Sequence, residues 1–356
     1  METLGGFPNP PATGSGEQSS PTPNARRRRV LVTGGAGYVG AVLVPRLLAA
    51  GYEVTVLDLY LFHPDPLRAV KGHSGLEEIR GDIRDQALLG QILPRCDAVI
   101  HLACISNDPS FDLDPGLGRS INFDCFEPMV KIARDAGSKR FIYASSSSVY
   151  GIKAEPEVHE EMSLEPLTDY SKYKALCEDV LARYQAPAFT TVTVRPATVC
   201  GHSPRQRLDV IVNILTNHAV NTGTIKVLGG AQKRPNIHIE DMADVYLRLL
   251  DAPDDAIAGR VYNVGGENFT VTELADKVRA VVGVDKVRME VQPTNDPRSY
   301  HISSERIARE LAFRTRHTIE DAVSDLVSAF ARGDLPNPLS DVRYYNVTLM
   351  KQVGLR

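Results

Sequence analysis

Two side chains in the segment DYSKYKAL, Tyr170 and Lys174, form a pair suited to moving a proton. Four residues apart on a predicted helix, they lie on one face. A phenol ordinarily loses its proton near pH ~10. A neighbouring ammonium favours the phenolate and lowers that value, which makes the tyrosine usable as a general base. Tyr170 is the only tyrosine in the chain with a lysine at +4; the plain alternative is a surface stack on a helix. The pair needs a third member, a hydroxyl that binds the reacting oxygen and shares its proton. The run FIYASSSSVYG offers four serines, Ser145 to Ser148, directly after a predicted strand, where serines otherwise serve as turn residues.

A second constellation binds rather than reacts. In TGGAGYVG, Gly34, Gly37 and Gly40 follow a strand and open a helix. Glycine lets the backbone turn tightly and approach a pyrophosphate, and the helix N-terminus supplies free N–H groups and the positive end of a dipole. The strand EVTVLD then ends in Asp58. An acid at that tip accepts hydrogen bonds from both ribose hydroxyls of an adenosine and repels a 2′-phosphate, which selects NAD over NADP. Asp82 and Ile83, closing a third strand, are placed to meet the adenine amino group and ring. Leu102 and Ala103 end a fourth, where a small side chain lets a cofactor approach. Each of these four is equally an ordinary strand-end or core residue when taken alone.

These residues need a frame. Between Arg29 and Val194 six short β-branched runs alternate with helical stretches, the pattern of a parallel sheet covered on both faces. The fold expected is α/β, a Rossmann-type doubly wound parallel sheet over 29–195. A smaller C-terminal α/β substrate-binding lobe over 196–356 sends some segments back to the first domain. Short helices are predicted at about 206–222, 240–251, 271–282, 303–311 and 318–332. Pro45 is expected to kink or distort the first helix.

Composition limits the alternatives. The net charge of −4 over 356 residues gives no bulk reason to bind nucleic acid or an acidic membrane, and no apolar run is long enough to cross a bilayer. Residues 1–28, rich in Pro, Gly, Ser and Asn, are expected to form a disordered arm, with Arg26 to Arg29 a solvated patch. The arginines followed by VLV imitate a secretion signal, but TGGAG interrupts the apolar run. Cys96, Cys104, Cys125, Cys177 and Cys200 are odd in number and lack metal-ligand spacing. They read as buried thiols in a reducing compartment, the cytoplasm, with no metal.

Taken together, the motifs resemble the extended short-chain dehydrogenase/reductase superfamily, and within it the NAD-dependent nucleotide-sugar epimerases and dehydratases, over roughly residues 29 to 332. The likeness implies roles for individual residues. S-S-x-x-V-Y-G laid on SSSSVYG puts the catalytic hydroxyl at Ser146, beside Tyr170 and Lys174. Tyr38, Val39, Asn122, Ser145 and Pro196 join the cofactor set, with Asn122 near the nicotinamide ribose. Ser106, Ser147 and Thr198 face the substrate. Arg234 and Arg298 grip its diphosphate, as guanidinium forks suit phosphates, and Ile225 and Val227 flank its base. His238 and Asp241 hold the lobe together. A homodimer through helices at 116–136 and 169–186 is implied as well.

The family's dehydratases and decarboxylases usually carry an acid where this chain has Ser147 and Ser148. The expected activity is therefore NAD-dependent epimerisation of a nucleoside-diphosphate sugar, most simply at C4 through a 4-keto intermediate. The alternatives are a ketoreductase, dehydratase or decarboxylase on the same scaffold, or a non-catalytic NAD-binding protein. Thr198, Pro196 and Pro235 depart from the common family pattern and leave the sugar and base open.

Overall fold

The computed structural model describes residues 28–294 and 299–354. Most of the expected arm, with Arg26 and Arg27, lies outside the described residues, as does Arg298.

Seven parallel strands form the central sheet: β1 (Arg29–Thr33), β2 (Glu53–Asp58), β3 (Leu76–Arg80), β4 (Ala98–His101), β5 (Arg140–Ala144), β6 (Thr190–Pro196) and β10 (Arg260–Val264). Their order is β3-β2-β1-β4-β5-β6-β10. The chain winds outward from β1 in one direction and from β4 in the other. The carboxyl ends of these two neighbours therefore border a crevice, the place where doubly wound sheets bind ligands. Val30, Leu31 and Val32 of β1 are fully buried, as expected of a strand covered on both faces.

Six of these strands follow the sequence pattern. The seventh, β10, comes from beyond Arg195, and its RVYNV pairs residue for residue with β6 from Arg260 opposite Val192 to Val264 opposite Pro196. The helix Gly40–Ala49 continues through Pro45. The stretch after Arg119 is not one helix: a wide π-type turn, Ser120–Asp124, precedes the helix Phe126–Asp135. Helix 206–222 begins only at Ile211, because residues 206–210 run as a loop beneath the cleft.

The smaller lobe contains strands that sequence periodicity did not reveal. β7 (Thr198–Cys200), β9 (Lys233–His238) and β11 (Asn268–Thr270) form one sheet, and β8 (Thr224–Leu228) pairs in parallel with β12 (Arg288–Gln292). Helices Ile211–Thr222, Val271–Val282 and Ile319–Arg332 pack on one another around Leu215, Leu274, Val278 and Val323. Two of them start with a capping box, at Thr270 with Glu273 and at Thr318 with Asp321, which satisfies first-turn N–H groups.

Arg28 is exposed and Arg29 partly buried, and ion pairs hold both. Arg29 pairs with Glu53 at 2.6 Å and Glu77 at 3.1 Å, while Arg28 pairs with Asp251 and donates to the Leu250 carbonyl. The opening of β1 is thus fastened to both neighbouring layers. All five cysteines are unpaired thiols. Among the described residues no helix is long and apolar enough to cross a membrane, and no His, Cys, Asp and Glu cluster could hold a metal.

Candidate active site

A cleft of about 460 Å³ lies over the carboxyl ends of β1, β2, β4 and β5 and runs under the smaller lobe. The glycine turn forms its floor. Gly34 has φ of +73°, and a Cβ placed there would lie 2.6 Å from the backbone nitrogen of Ala103. Only glycine lets the ends of β1 and β4 come so close. A Cβ on Gly40 would lie 2.5 Å from Gly35 Cα, so Gly40 permits the helix to pack on the turn, and Gly37 donates its N–H to the Gly34 carbonyl at 3.0 Å. Gly35, which spacing alone did not single out, leaves room for Val56, 2.9 Å from its missing Cβ.

Tyr38 and Val39 line the cleft beside these glycines. The Tyr38 hydroxyl points into the other lobe, donating to the Gly201 carbonyl at 2.6 Å and accepting from Asn213. It ties the nucleotide turn to the substrate lobe.

Asp58 faces the cleft and braces the turn. Its carboxylate accepts the N–H of Ala36 at 3.0 Å and of Tyr60 at 2.8 Å. Burial raises its pKa, against the pull of those two donors. A carboxylate has about four lone-pair sites, so two remain for a ribose. Asp82 and Ile83 also line the cleft, as do Leu102 and Ala103. Asp82 is held by Arg84 at 2.7 Å. Burial works against its ionisation, but the Arg84 fork and N–H outweigh it and the pKa falls.

Ser145, Ser146, Ser147, Ser148, Tyr170 and Lys174 all reach the cleft wall. The helix Asp169–Tyr184 that carries the pair is capped by Thr168, which accepts from the Ser171 N–H. Ser145 donates to Glu178, whose carboxylate is locked by Arg195 at 2.6 Å in a buried pair. Ser145 thus lines the cleft while its hydroxyl proton is committed beneath it.

In the ligand-free fold Lys174 does not set the direction of the Tyr170 pKa. Its Nζ donates to the Ala144 carbonyl at 2.6 Å and sits 5.9 Å from the centre of the Tyr170 ring. Burial around Tyr170, with the nearby Cys104 and Asp108, pushes the phenol's pKa upward, opposed by Arg207 and by the nearby Ser146 hydroxyl. In the ligand-free chain the phenol is therefore neutral, since desolvation outweighs a cation at this distance.

On the substrate side, Ser106, Pro196, Thr198 and Arg234 line the cleft. Three assignments change. Asn122 is spent as a clamp: its amide accepts the Ile105 N–H at 2.8 Å and donates to the Ile105 carbonyl at 2.9 Å, shaping the loop after β4. Ile225 and Val227 are fully buried in the core of the small lobe, not in the cleft. On β8 the alternation of side chains turns both inward together. His238 and Asp241 do fasten the lobe. His238 stacks on His317 at 4.5 Å, and Asp241 accepts the Arg316 and His317 N–H groups at 3.0 Å.

Among the cleft residues that escaped sequence reasoning are Arg205, Arg207, Asn346 and Met350. The two arginines of SPRQRLD carried a signal, two cations two apart at the start of a predicted helix. Asn346, which accepts from Arg205 at 2.5 Å and donates to Ser106 at 3.0 Å, carried none. Arg205 lies 4.1 Å over the Phe62 ring. Its Nε and one terminal nitrogen, with one nitrogen of Arg207, are buried without a hydrogen-bond partner among the described residues. Buried, unsatisfied guanidinium donors above a glycine cradle fit a cleft built for a diphosphate.

Comparison with known proteins agrees with this geometry. Residues 30–265 match the family described as NAD dependent epimerase/dehydratase. A UDP-glucose 4-epimerase of Lactobacillus helveticus is 27% identical over 320 residues, covering 83% of this chain and 95% of that protein. A dTDP-glucose 4,6-dehydratase of Streptomyces niveus is 28% identical, covering 84% and 91%. The crystal structure of DesIV, a dTDP-glucose 4,6-dehydratase from Streptomyces venezuelae with NAD bound, superposes with a TM-score of 0.78 at 26% identity, covering 88% of this chain and all of that one. With a glycine cradle, a strand-end acid and a tyrosine–lysine helix in one cleft, and a match to more than half its length, the chain belongs to the NAD-dependent epimerase/dehydratase family.

Proposed function

We propose that the protein is an NAD-dependent epimerase of a nucleoside-diphosphate sugar, acting at C4 through a transient 4-keto sugar. NAD, when bound, supplies a hydride acceptor and afterwards a hydride donor at the carbinol carbon. The chain's own residues bind and move protons. Gly34 and Gly37 bring backbone to the cofactor's diphosphate, Asp58 takes the adenosine ribose, and Lys174 has ammonium donors for the second ribose. Arg234 meets the substrate's diphosphate. Tyr170 takes the proton of the C4 hydroxyl and later returns it, with Ser146 sharing that proton throughout.

The loop Ser145–Ser148 carries this reading. Beside Tyr170 it presents only hydroxyls, whereas expelling water from a sugar calls for a proton-donating acid next to the leaving oxygen. A second reading, 4,6-dehydration, is favoured by dehydratase relatives as similar to this chain as the epimerases. Product mass separates the two. NAD-loaded protein is incubated without added cofactor on UDP-glucose, UDP-galactose and dTDP-glucose. Epimerisation leaves mass unchanged, dehydration removes one water, and a ketoreductase consumes stoichiometric reduced cofactor. Tyr170→Phe is expected to slow turnover at least ~100-fold, within the usual range for losing a general base. Turnover by this variant at the parent's rate would end the reading, and tight NAD binding with no turnover would favour a non-catalytic protein.

We further propose a homodimer that pairs through the helices Phe126–Asp135 and Asp169–Tyr184, and a cytoplasmic place that the five unpaired thiols support.

A further inference from the structure

The C-terminal helix Asn346–Val353 reaches back into the cleft with its first residue. Asn346 lies beyond residues 30–265, the stretch that matches the family. Its backbone N–H meets Asp209 Oδ2 at 2.9 Å, and the other oxygen of that carboxylate accepts from Arg207 Nε at 2.8 Å. The start of the helix and Arg207 are thus held by one group. Asn346 and Arg205 are each 3% exposed, so the contacts between them are sheltered from water.

Chemistry fixes the direction of each hydrogen bond here. A guanidinium only donates. Arg205 Nη2 lies 2.5 Å from the Asn346 side chain, so the atom facing it is the amide oxygen, and the NH2 group faces Ser106 Oγ at 3.0 Å. Arg207 Nη1 donates to the same Oγ at 3.2 Å. A hydroxyl has one proton to give and two lone pairs. Both lone pairs of Ser106 are taken, which leaves only its O–H, and the described residues offer that proton no acceptor. Ser106 is partly exposed and lines the cleft.

We propose that Asn346, oriented by Arg205, is a positioning residue that makes the Ser106 hydroxyl a fixed donor to an acceptor oxygen of the sugar. This rests on the reading of the cleft's ligand as a nucleotide sugar. An unrestrained serine hydroxyl rotates to suit its partner. Held by two N–H groups, Ser106 does not. A sugar oxygen that presents a lone pair is bound without reorientation, and one that presents its proton is turned away. Sites built to hydrogen-bond a substrate oxygen reject analogues lacking it far more sharply than apolar walls reject a methylene. The C-terminal helix thereby shares in choosing the sugar while standing apart from the tyrosine–lysine chemistry.

The test measures binding rather than turnover. NAD-loaded protein is titrated by calorimetry with UDP-glucose, UDP-galactose and dTDP-glucose. Ser106→Ala is expected to raise the dissociation constant of each nucleotide sugar that binds the parent about 3- to 10-fold, the net worth of one hydrogen bond. Asn346→Asp keeps the size of the side chain and its contact with Arg205, but its carboxylate accepts the Ser106 proton. The hydroxyl then shows the ligand a lone pair, and binding should weaken at least as much. In the Ser106→Ala background Asn346→Asp should add nothing, because its effect passes through that hydroxyl. Asn346→Ala releases one lone pair of Ser106 and should likewise weaken binding only while Ser106 is present; it keeps the test open if the buried aspartate unfolds the chain. UDP and dTDP, which lack the sugar, should bind every variant as they bind the parent. Four results would each overturn the inference: unchanged binding by Ser106→Ala, a loss from the Asn346 variants that persists once Ser106 is gone, an equal loss for UDP and dTDP, or a parent that binds none of the three sugars. A product other than the epimer sinks the proposed reaction and leaves this contact decided by the titrations.

Discussion

Gly34 sits where the two central strands nearly touch. Its φ of +73° is one that L side chains rarely adopt, and its Cβ would strike the Ala103 backbone at 2.6 Å. Left-handed strain of this kind costs about 1–3 kcal/mol by itself, and backbone cannot move aside as a flexible side chain can. Gly34→Ala is expected to weaken NAD binding at least tenfold and lower the melting temperature, read by equilibrium dialysis and calorimetry. A variant that binds NAD like the parent would remove the cradle from the account. Tyr170 shows the opposite relation between sequence and chemistry: its type and spacing to Lys174 were legible, but the direction of its pKa was not. That direction depends on how much protein surrounds the phenol, and on Lys174 reaching the Ala144 carbonyl, neither of which spacing encodes.

At the level of elements, β4 ends in His101, buried between Phe126, Phe141 and Tyr143, with Nδ1 2.7 Å from Thr33 Oγ1. Burial pushes its pKa down to about 3, helped by the nearby Lys174. The unfolded chain, with an imidazole near pH ~6.5, therefore binds one more proton than the folded chain between those two values. Stability from this group is fully present above pH ~6.5 and is lost as pH falls towards about 3. His101→Leu should flatten the fall in unfolding free energy over that window by up to ~1.4 kcal/mol per pH unit, the value for one proton. Urea titrations at several pH values check this, and an unchanged slope would mean that the imidazole is charged in the fold. Most elements were visible in advance where hydrophobic period was strong, as in EVTVLD and DAVIHLA. The small lobe's β7 and β11 were not, because three-residue strands offer too few positions for a period to register.

At the scale of the molecule, the two lobes are coupled through the cofactor turn. Tyr38 reaches Gly201 and Asn213, and Ser203 donates to the Tyr38 carbonyl at 2.7 Å. The glycine turn is thereby in contact with the Gly201–Asn213 segment of the smaller lobe. The proposed dimer belongs to this scale too. On the helix Asp169–Tyr184, Leu176 and Tyr173 are partly exposed, with the Tyr173 ring tilted against Phe123 at 5.4 Å, so an apolar surface is available for a second copy. Light scattering after gel filtration is expected to give twice the chain mass, and Leu176→Glu to halve it. A monomeric parent would refute the dimer without touching the chemistry.

The sequence by itself determined the parts that depend on local order: the strand–glycine–helix turn, the acid at the tip of β2, the Tyr170–Lys174 face and the serine loop. Each is specified within a dozen residues, by backbone freedom, periodicity or helical spacing. Only the tertiary structure decided which distant groups share the cleft. It brought Arg205, Arg207, Asn346 and Met350 to the site and withdrew Asn122, Ile225 and Val227 from it. It also set Asp108 against the Thr168 hydroxyl, 60 residues away in the chain. Such choices follow from how lobes pack and from which side of a strand faces inward. Those are relations between segments, and no single segment encodes them.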